Sequence, residues 1–243
     1  MVKGAKVKKP EWAYGVTTTP QRRYDLLPRT LMSLAKAGFE KPTLFVDQCK
    51  KEDIDSYITG EYQTVFRMFP GVRTFGNWIL TLWELYLKQP NASFYAIFQD
   101  DFVTYINLRE YLEQCEYPER GYWNLYTFPH NQDLAKCQQG WYLSDQLGKG
   151  AVALIFSKKV AMDLLSTKHL VDRVQNSSRG HKAVDGAIVT AMKHIKYKEY
   201  VHNPSLVQHT GTESTMGNSK HKLAVSFVGE NYNALEMLEK KHE

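Results

Sequence analysis

The chain has 243 residues, 43% of them hydrophobic and 23% charged, with a formal net charge of +5. That length suits one large α/β domain with material for a substantial core. The mild charge, with no basic stripe beyond Lys3, Lys6, Lys8 and Lys9, argues against a nucleic-acid binder and suits an anionic small substrate.

The three cysteines, Cys49, Cys115 and Cys137, form no CxxC pair, which argues against a disulfide framework and a cysteine zinc site and points to a reducing compartment. No apolar run approaches bilayer-spanning length and the N-terminus carries no signal-peptide core. The expectation is therefore a cytoplasmic protein without stable membrane insertion, and the sequons at Asn91 and Asn176 carry little weight.

Taken in order, the pattern after the lysine arm alternates strand and helix. Trp12–Thr17 reads as a strand stopped by Thr18-Thr19-Pro20. A helix follows over 25–37, with Leu27, Leu31 and Leu34 on one face, Pro28 in its first turn and Gly38 closing it. Thr43–Val46 is a second strand ending on Asp47, which makes a right-handed βαβ unit. Residues 50–59 read as a polar helix or turn and 63–67 as a third strand. The segment Val72-Arg73-Thr74-Phe75-Gly76-Asn77 leads into a helix over 78–88, stopped by Pro90.

Phe94–Phe98, aromatic and β-branched, is a buried strand that runs straight through Gln99 into Asp100-Asp101. Residues 1–100 thus show the rhythm of a nucleotide-binding half. Beyond Asp101 the rhythm changes, and residues 101–217 read as a second half. In it we expect a helix at 107–114, a strand at 122–128, a loop over 129–149, a strand at 151–156 and a helix from Ser157 to Leu165. A polar stretch at 171–181, a helix at 183–195 carrying Asp185, and a strand at 197–202 follow, and 218–243 ends in a short helix. There is no internal repeat.

Several polar groups fall at strand ends: Thr17 to Arg22, Asp47, and Asp100-Asp101. In a parallel sheet such ends share one edge, where ligands bind. Buried carboxylates need a partner or a cation, so the acidic pair reads as a divalent-metal site or as a turn or N-cap. Arg22 and Arg23 read as phosphate partners or solvated charges, and Asp47 as a base or ribose acceptor or a turn residue. No Walker loop and no GxGxxG occurs, so a diphosphate would need a metal to offset its charge. His209, at the end of the apolar Ser205–His209 run, reads as a ligand or as a structural histidine. Trp141, Tyr142 and the Gly148-Lys149-Gly150 turn suit a sugar-stacking cleft or plain packing.

Strand-Gln99-Asp100-Asp101, the helix-borne Asp185, and Pro204-Ser205-Leu206-Val207-Gln208-His209 with Gly211, Ser214 and Gly217 together resemble GT-A glycosyltransferases. The Gln-His-x-Gly element is similar to that of N-acetylglucosaminyltransferase IV-type enzymes and of small glycosyltransferases encoded by large algal (chlorella) viruses. The resemblance implies a GT-A, Rossmann-like α/β domain with a mixed, mostly parallel sheet. It also implies a UDP-sugar donor, a glycan acceptor and Mn2+ or Mg2+. It places Thr17, Thr18, Thr19 and Arg22 around the nucleotide, Asp47 near the uracil, and Arg73, Gly76 and Asn77 beside ribose and diphosphate. Asp101 and His209 would ligate the metal, Asp100 would lie nearer the ribose or sugar, and Asp185 would be the catalytic base of an inverting transfer. Gln99 stands where many relatives carry an acid, which leaves fewer charged ligands. The rival readings are a sugar-nucleotide nucleotidyltransferase and a non-catalytic nucleotide- or carbohydrate-binding module.

Overall fold

The computed structural model describes residues 9–58, 60–136, 138–168, 170, 184–210 and 222–239. The first half runs β1 (Trp12–Thr18), a 3₁₀ turn (Pro20–Arg22), α1 (Leu26–Lys36), β2 (Thr43–Cys49), α2 (Lys51–Ile54), β3 (Thr64–Met68), α3 (Arg73–Lys88) and β4 (Phe94–Gln99). Next come β5 (Phe102–Thr104), α4 (Leu108–Gln114), β6 (Gly121–Asn124), α5 (Pro129–Ala135), β7 (Gly140–Leu143), β8 (Ala153–Ser157) and α6 (Lys158–Leu165). Finally come α7 (Val184–His194), β9 (Lys198–Asn203), β10 (Val207–His209) and α8 (Glu236–Glu239).

Eight strands form one mixed sheet in the order β3-β2-β1-β4-β8-β6-β9-β7. β1, β2, β3 and β4 are mutually parallel, and β8 enters antiparallel to β4. Along β4, Ala96 and Phe98 pack to one side while Tyr95 and Ile97 pack to the other, the two-residue period of a strand buried on both faces. One face carries α1 and α4 through Leu27, Leu34, Leu108 and Leu112. The opposite face carries α3, α6 and α7 through Trp78, Leu82, Leu164, Ile188 and Met192. Fully burying a side chain such as Leu82 or Ile188 contributes about 1.5–3 kcal/mol, so the two layers hold the sheet edges in fixed register.

Local signals explain the boundaries. Asp25 caps α1 by accepting from the Leu26 amide at 2.5 Å, and Ser157 Oγ accepts from the Val160 amide at 3.4 Å at the start of α6. The expected loop at 129–149 instead contains α5 and the edge strand β7, which pairs antiparallel with β9 from Gly140↔Asn203 to Leu143↔Tyr200. Four residues, Gly-Trp-Tyr-Leu, are too few to show a period. The strand expected at 122–128 ends at Asn124, and α3 begins five residues before the expected 78. Cys137, the stretch 171–181, residues 211–221 with Gly211, Ser214 and Gly217, and most of the basic arm lie outside the described residues. Among the described residues no helix is long and apolar enough to cross a membrane.

Candidate active site

The parallel pairing of β1 with β4, in register from Trp12↔Phe94 to Thr17↔Gln99, brings the loops after both strands together. The 3₁₀ turn, closed by the Arg22 amide on the Thr19 carbonyl at 3.1 Å, turns the Arg22 side chain back over that edge. Its Nη1 donates to Asp100 Oδ1 at 2.9 Å and to Asp101 Oδ2 at 2.6 Å. Thr18 Oγ1 donates to Asp100 Oδ2 at 2.6 Å. All four side chains are buried, Asp100 at 5% and Asp101 at 3% exposure. Thr17, half-buried, donates to the Phe98 carbonyl at 3.3 Å, and Thr19 Oγ1 has no partner.

His209 arrives from the other side of the pair. The two-stranded β5–β10 ladder sets His209 opposite Phe102, and the Thr210 amide donates to the Asp101 carbonyl at 2.8 Å. Thr30 of α1 pins β5 by donating to the Phe102 carbonyl at 2.9 Å. The His209 Nδ1 thereby lies 3.7 Å from Asp101 Oδ2. Two carboxylates and one guanidinium leave the buried cluster one negative charge in excess. Burial therefore holds the Asp100 carboxyl well above its ordinary range against the pull of Arg22, and the neighbouring Asp101 adds to the shift.

That excess charge bears on a metal. Asp101 Oδ1 is buried with no hydrogen-bond partner, and a carboxylate beside an imidazole is a donor set suited to Mn2+ or Mg2+. Among the described residues no three His, Cys, Asp or Glu side chains converge, so the Asp101–His209 pair would need further oxygens from water or a diphosphate. The residues fit a cation on those terms.

Asp47 differs from its expected place. It stands inside β2, where the pairing with β3 shifts register between Val46 and Cys49 and Gln48 adopts a left-handed φ of 60°. Its Oδ1 accepts from the Val72 amide at 2.9 Å, while its buried Oδ2 has no partner. Arg73, Gly76 and Asn77 lie within α3, not ahead of it. Arg73 is exposed, Gly76 packs on Val72, and Asn77 Nδ2 ties α3 to the Phe45 carbonyl at 3.0 Å. The amide nitrogen of Asn77 is thus committed to the scaffold.

Asp185 enters from the opposite sheet face. Its Oδ2 accepts from the Gly150 amide at 2.9 Å and its Oδ1 from the Gly186 amide at 2.9 Å. The glycines of the 148–150 turn are required here: both have left-handed φ, 70° and 78°, a Cβ on Gly148 would meet the Asp185 carbonyl oxygen at 2.5 Å, and one on Gly150 would overlap the Tyr126 ring. The turn feeds β8, where the Gln99 amide donates to the Val152 carbonyl at 2.8 Å, next to Asp100. Tyr126 meets the His209 ring edge-on with 5.8 Å between centroids. Asp185, Gly150, Tyr126, His209 and Asp101 thus form a continuous line of contacts.

Two features were not legible beforehand. Glu199 of β9, 2% exposed, accepts from Tyr122 at 3.0 Å and Asn124 at 3.2 Å, and Asn124 also donates to the Lys149 carbonyl at 3.3 Å. Burial raises the Glu199 carboxyl above its ordinary value, with the hydrogen bonds opposing. Its sequence context, Lys-Glu-Tyr-Val-His-Asn, is polar enough that one more acid gives no signal. Arg23 is the second: its guanidinium lies 4.5 Å from the Tyr57 ring centroid and 5.1 Å from that of Tyr24, a stack invisible in the sequence. Trp141 and Tyr142 serve packing. Trp141 stacks on Trp123 at 4.6 Å, and Tyr142 donates to the Asn131 carbonyl at 2.8 Å.

Neither a family model nor a curated protein sequence matches the chain. Solved structures do match it. One is a crystal structure of GalNAc-T7 with UDP, GalNAc and Mn2+, at a TM-score of 0.54 and 14% identity, covering 83% of this chain and 44% of that one. The chain spans less than half the length of that structure. At this identity the likeness shows the fold, which is the Rossmann-like α/β architecture of GT-A glycosyltransferases.

Proposed function

We propose that the protein is a metal-dependent glycosyltransferase that moves a sugar from a UDP-sugar, such as UDP-glucose, to an acceptor hydroxyl of a glycan, with inversion. The observation that carries this reading is the buried Thr18–Arg22–Asp100–Asp101–His209 cluster at the carboxyl ends of β1 and β4. That edge is where an open α/β sheet binds nucleotides. One solved structure of similar fold is a complex with UDP, GalNAc and Mn2+.

On this reading Thr17, Thr18, Thr19 and Arg22 surround the nucleotide, with the unpartnered Thr19 hydroxyl and the Arg22 guanidinium offered to phosphate oxygens. Asp47 Oδ2, buried and unpartnered, accepts from the base, and Arg73 and Gly76 at the first turns of α3 lie beside the ribose and diphosphate. Asn77 supports that segment from within α3. Asp100 serves the ribose or sugar. Asp101 and His209 would hold Mn2+ or Mg2+, which would supply positive charge against the departing diphosphate. Asp185, oriented by two backbone amides, takes the proton from the attacking hydroxyl, a contribution of about 10²–10⁴-fold.

Incubation with UDP-glucose and Mn2+ tests the reading. Slow release of glucose to water, lost in Asp185→Asn while donor binding persists, supports a transferase. Binding without turnover supports a binding module, and conversion of UTP and glucose 1-phosphate to UDP-glucose supports a nucleotidyltransferase.

A further inference from the structure

The buried acidic pair already has a cation, and it is part of the chain. We infer that Arg22 acts as a resident counter-ion that holds the metal site closed until a diphosphate draws it away, so that metal and nucleotide bind only as a cooperative pair. This rests on the UDP-sugar reading above.

The geometry supplies three reasons. First, His209 Nδ1 and Arg22 Nη1 address the same atom: Asp101 Oδ2 lies 3.7 Å from the imidazole and 2.6 Å from the guanidinium. A cation held by His209 and that oxygen would therefore share the oxygen with Arg22, and two cations at one oxygen repel each other. Second, the same Nη1 spans to Asp100 Oδ1 at 2.9 Å, so Arg22 bridges both acids and leaves one net negative charge for a divalent ion. Third, Asp101 Oδ1 is buried and unpartnered, so the carboxylate holds a second oxygen ready for an ion that replaces Arg22 at Oδ2.

A diphosphate changes this balance. Its oxygens match the planar guanidinium fork better than two separate carboxylates do, and they supply the additional ligands the Asp101–His209 pair lacks. Arg22 would move to the diphosphate and free Asp101 Oδ2, and Asp101 and His209 would then be able to hold the metal. The turn that carries Arg22 spans three residues and is followed by half-buried Arg23 and exposed Tyr24 and Asp25, so a side-chain rearrangement of Arg22 meets packed structure on one side only. By reciprocity the diphosphate tightens the metal as much as the metal tightens the diphosphate.

The test is Mn2+ affinity by electron paramagnetic resonance, with and without UDP, in the wild type and in Arg22→Gln. In the wild type, Mn2+ alone binds weakly and saturating UDP tightens it by about tenfold or more. In Arg22→Gln, Mn2+ alone binds about tenfold tighter than in the wild type, UDP binds more weakly, and the coupling collapses. An arginine that merely binds phosphate predicts the reverse for the metal: unchanged Mn2+ affinity in the variant, which overturns the inference while leaving the UDP-sugar reading intact. No UDP-dependent Mn2+ binding in the wild type overturns both. Should Arg22→Gln fail to fold, the Arg22 Nε resonance of the wild type decides. It stays in place with Mg2+ alone and shifts when UDP is added, and a shift with Mg2+ alone overturns the inference.

Discussion

The two halves of the molecule bury carboxylates in opposite ways. At the β1–β4 edge, Asp100 and Asp101 are compensated by a full charge, Arg22, with one buried oxygen left over. Around β6 and β9, the 148–150 turn and the start of α7, Glu199 and Asp185 are held by neutral donors: a phenol, an amide side chain and two backbone amides. A charge-compensated site can exchange one cation for another. A neutrally compensated one has no resident cation to exchange. On the proposed reading the first site exchanges ions and Asp185, in the second, takes the acceptor's proton.

The largest expected effect breaks the first side of the contrast. Asp101→Asn removes the charged oxygens shared by Arg22 and, on the proposed reading, the metal. UDP-sugar turnover should fall by about 10⁴-fold, measured as UDP release at saturating Mn2+. Asp185→Asn should cut turnover by about 10³-fold yet leave UDP affinity, read by calorimetry, within about twofold of wild type. A matching loss of UDP affinity would move Asp185 into the donor site and erase the division.

Stability probes sharpen the neutral side. Gly148→Ala forces a β-carbon at a φ of 70° and against the Asp185 backbone, so it should lower Tm by several degrees and reduce turnover with it. Ala at exposed Gly60, with equally left-handed φ but nothing near its β-carbon, is the control that isolates the contact with Asp185.

Glu199→Gln is the smallest change and bears on pH. The folded Glu199 carboxyl is raised by burial, so the folded state keeps a proton that the unfolded chain releases. Its contribution is complete below the ordinary carboxylate range and is lost as pH rises through the folded value. Replacing it with Gln should therefore flatten part of the fall in Tm between mildly acidic and neutral pH, because Asp100, also raised, keeps its own share. Parallel Tm profiles for the two proteins would mean that Glu199 is ionised and paired in some other way.

The sequence pattern carried most of the first half. Long apolar runs such as Phe94–Phe98 and the strong stripe of Leu27, Leu31 and Leu34 leave little choice of element, and strand-end polar residues converge wherever strands are parallel. The second half was harder because its elements are short: β5, β7 and β10 have three or four residues and gain their identity from pairing. The end of β2 lies two residues beyond Asp47 because the register shifts after Val46 and the strand resumes at Cys49, which a short apolar run does not show. Asn77 was readable as a site residue but not as a tie to Phe45, since helix starts are loosely marked when no capping side chain is present. Glu199 stayed hidden because one acid in a strand as polar as Lys198–Asn203 shows neither its burial nor its partners.

The most direct measurement is hydrolysis of UDP-, GDP- and dTDP-sugars by the purified protein, each with Mn2+ and with chelator. The account predicts slow release of sugar from UDP donors alone, present with metal and abolished by chelator. Equal release with and without metal, or no turnover of any donor despite tight binding, would contradict it.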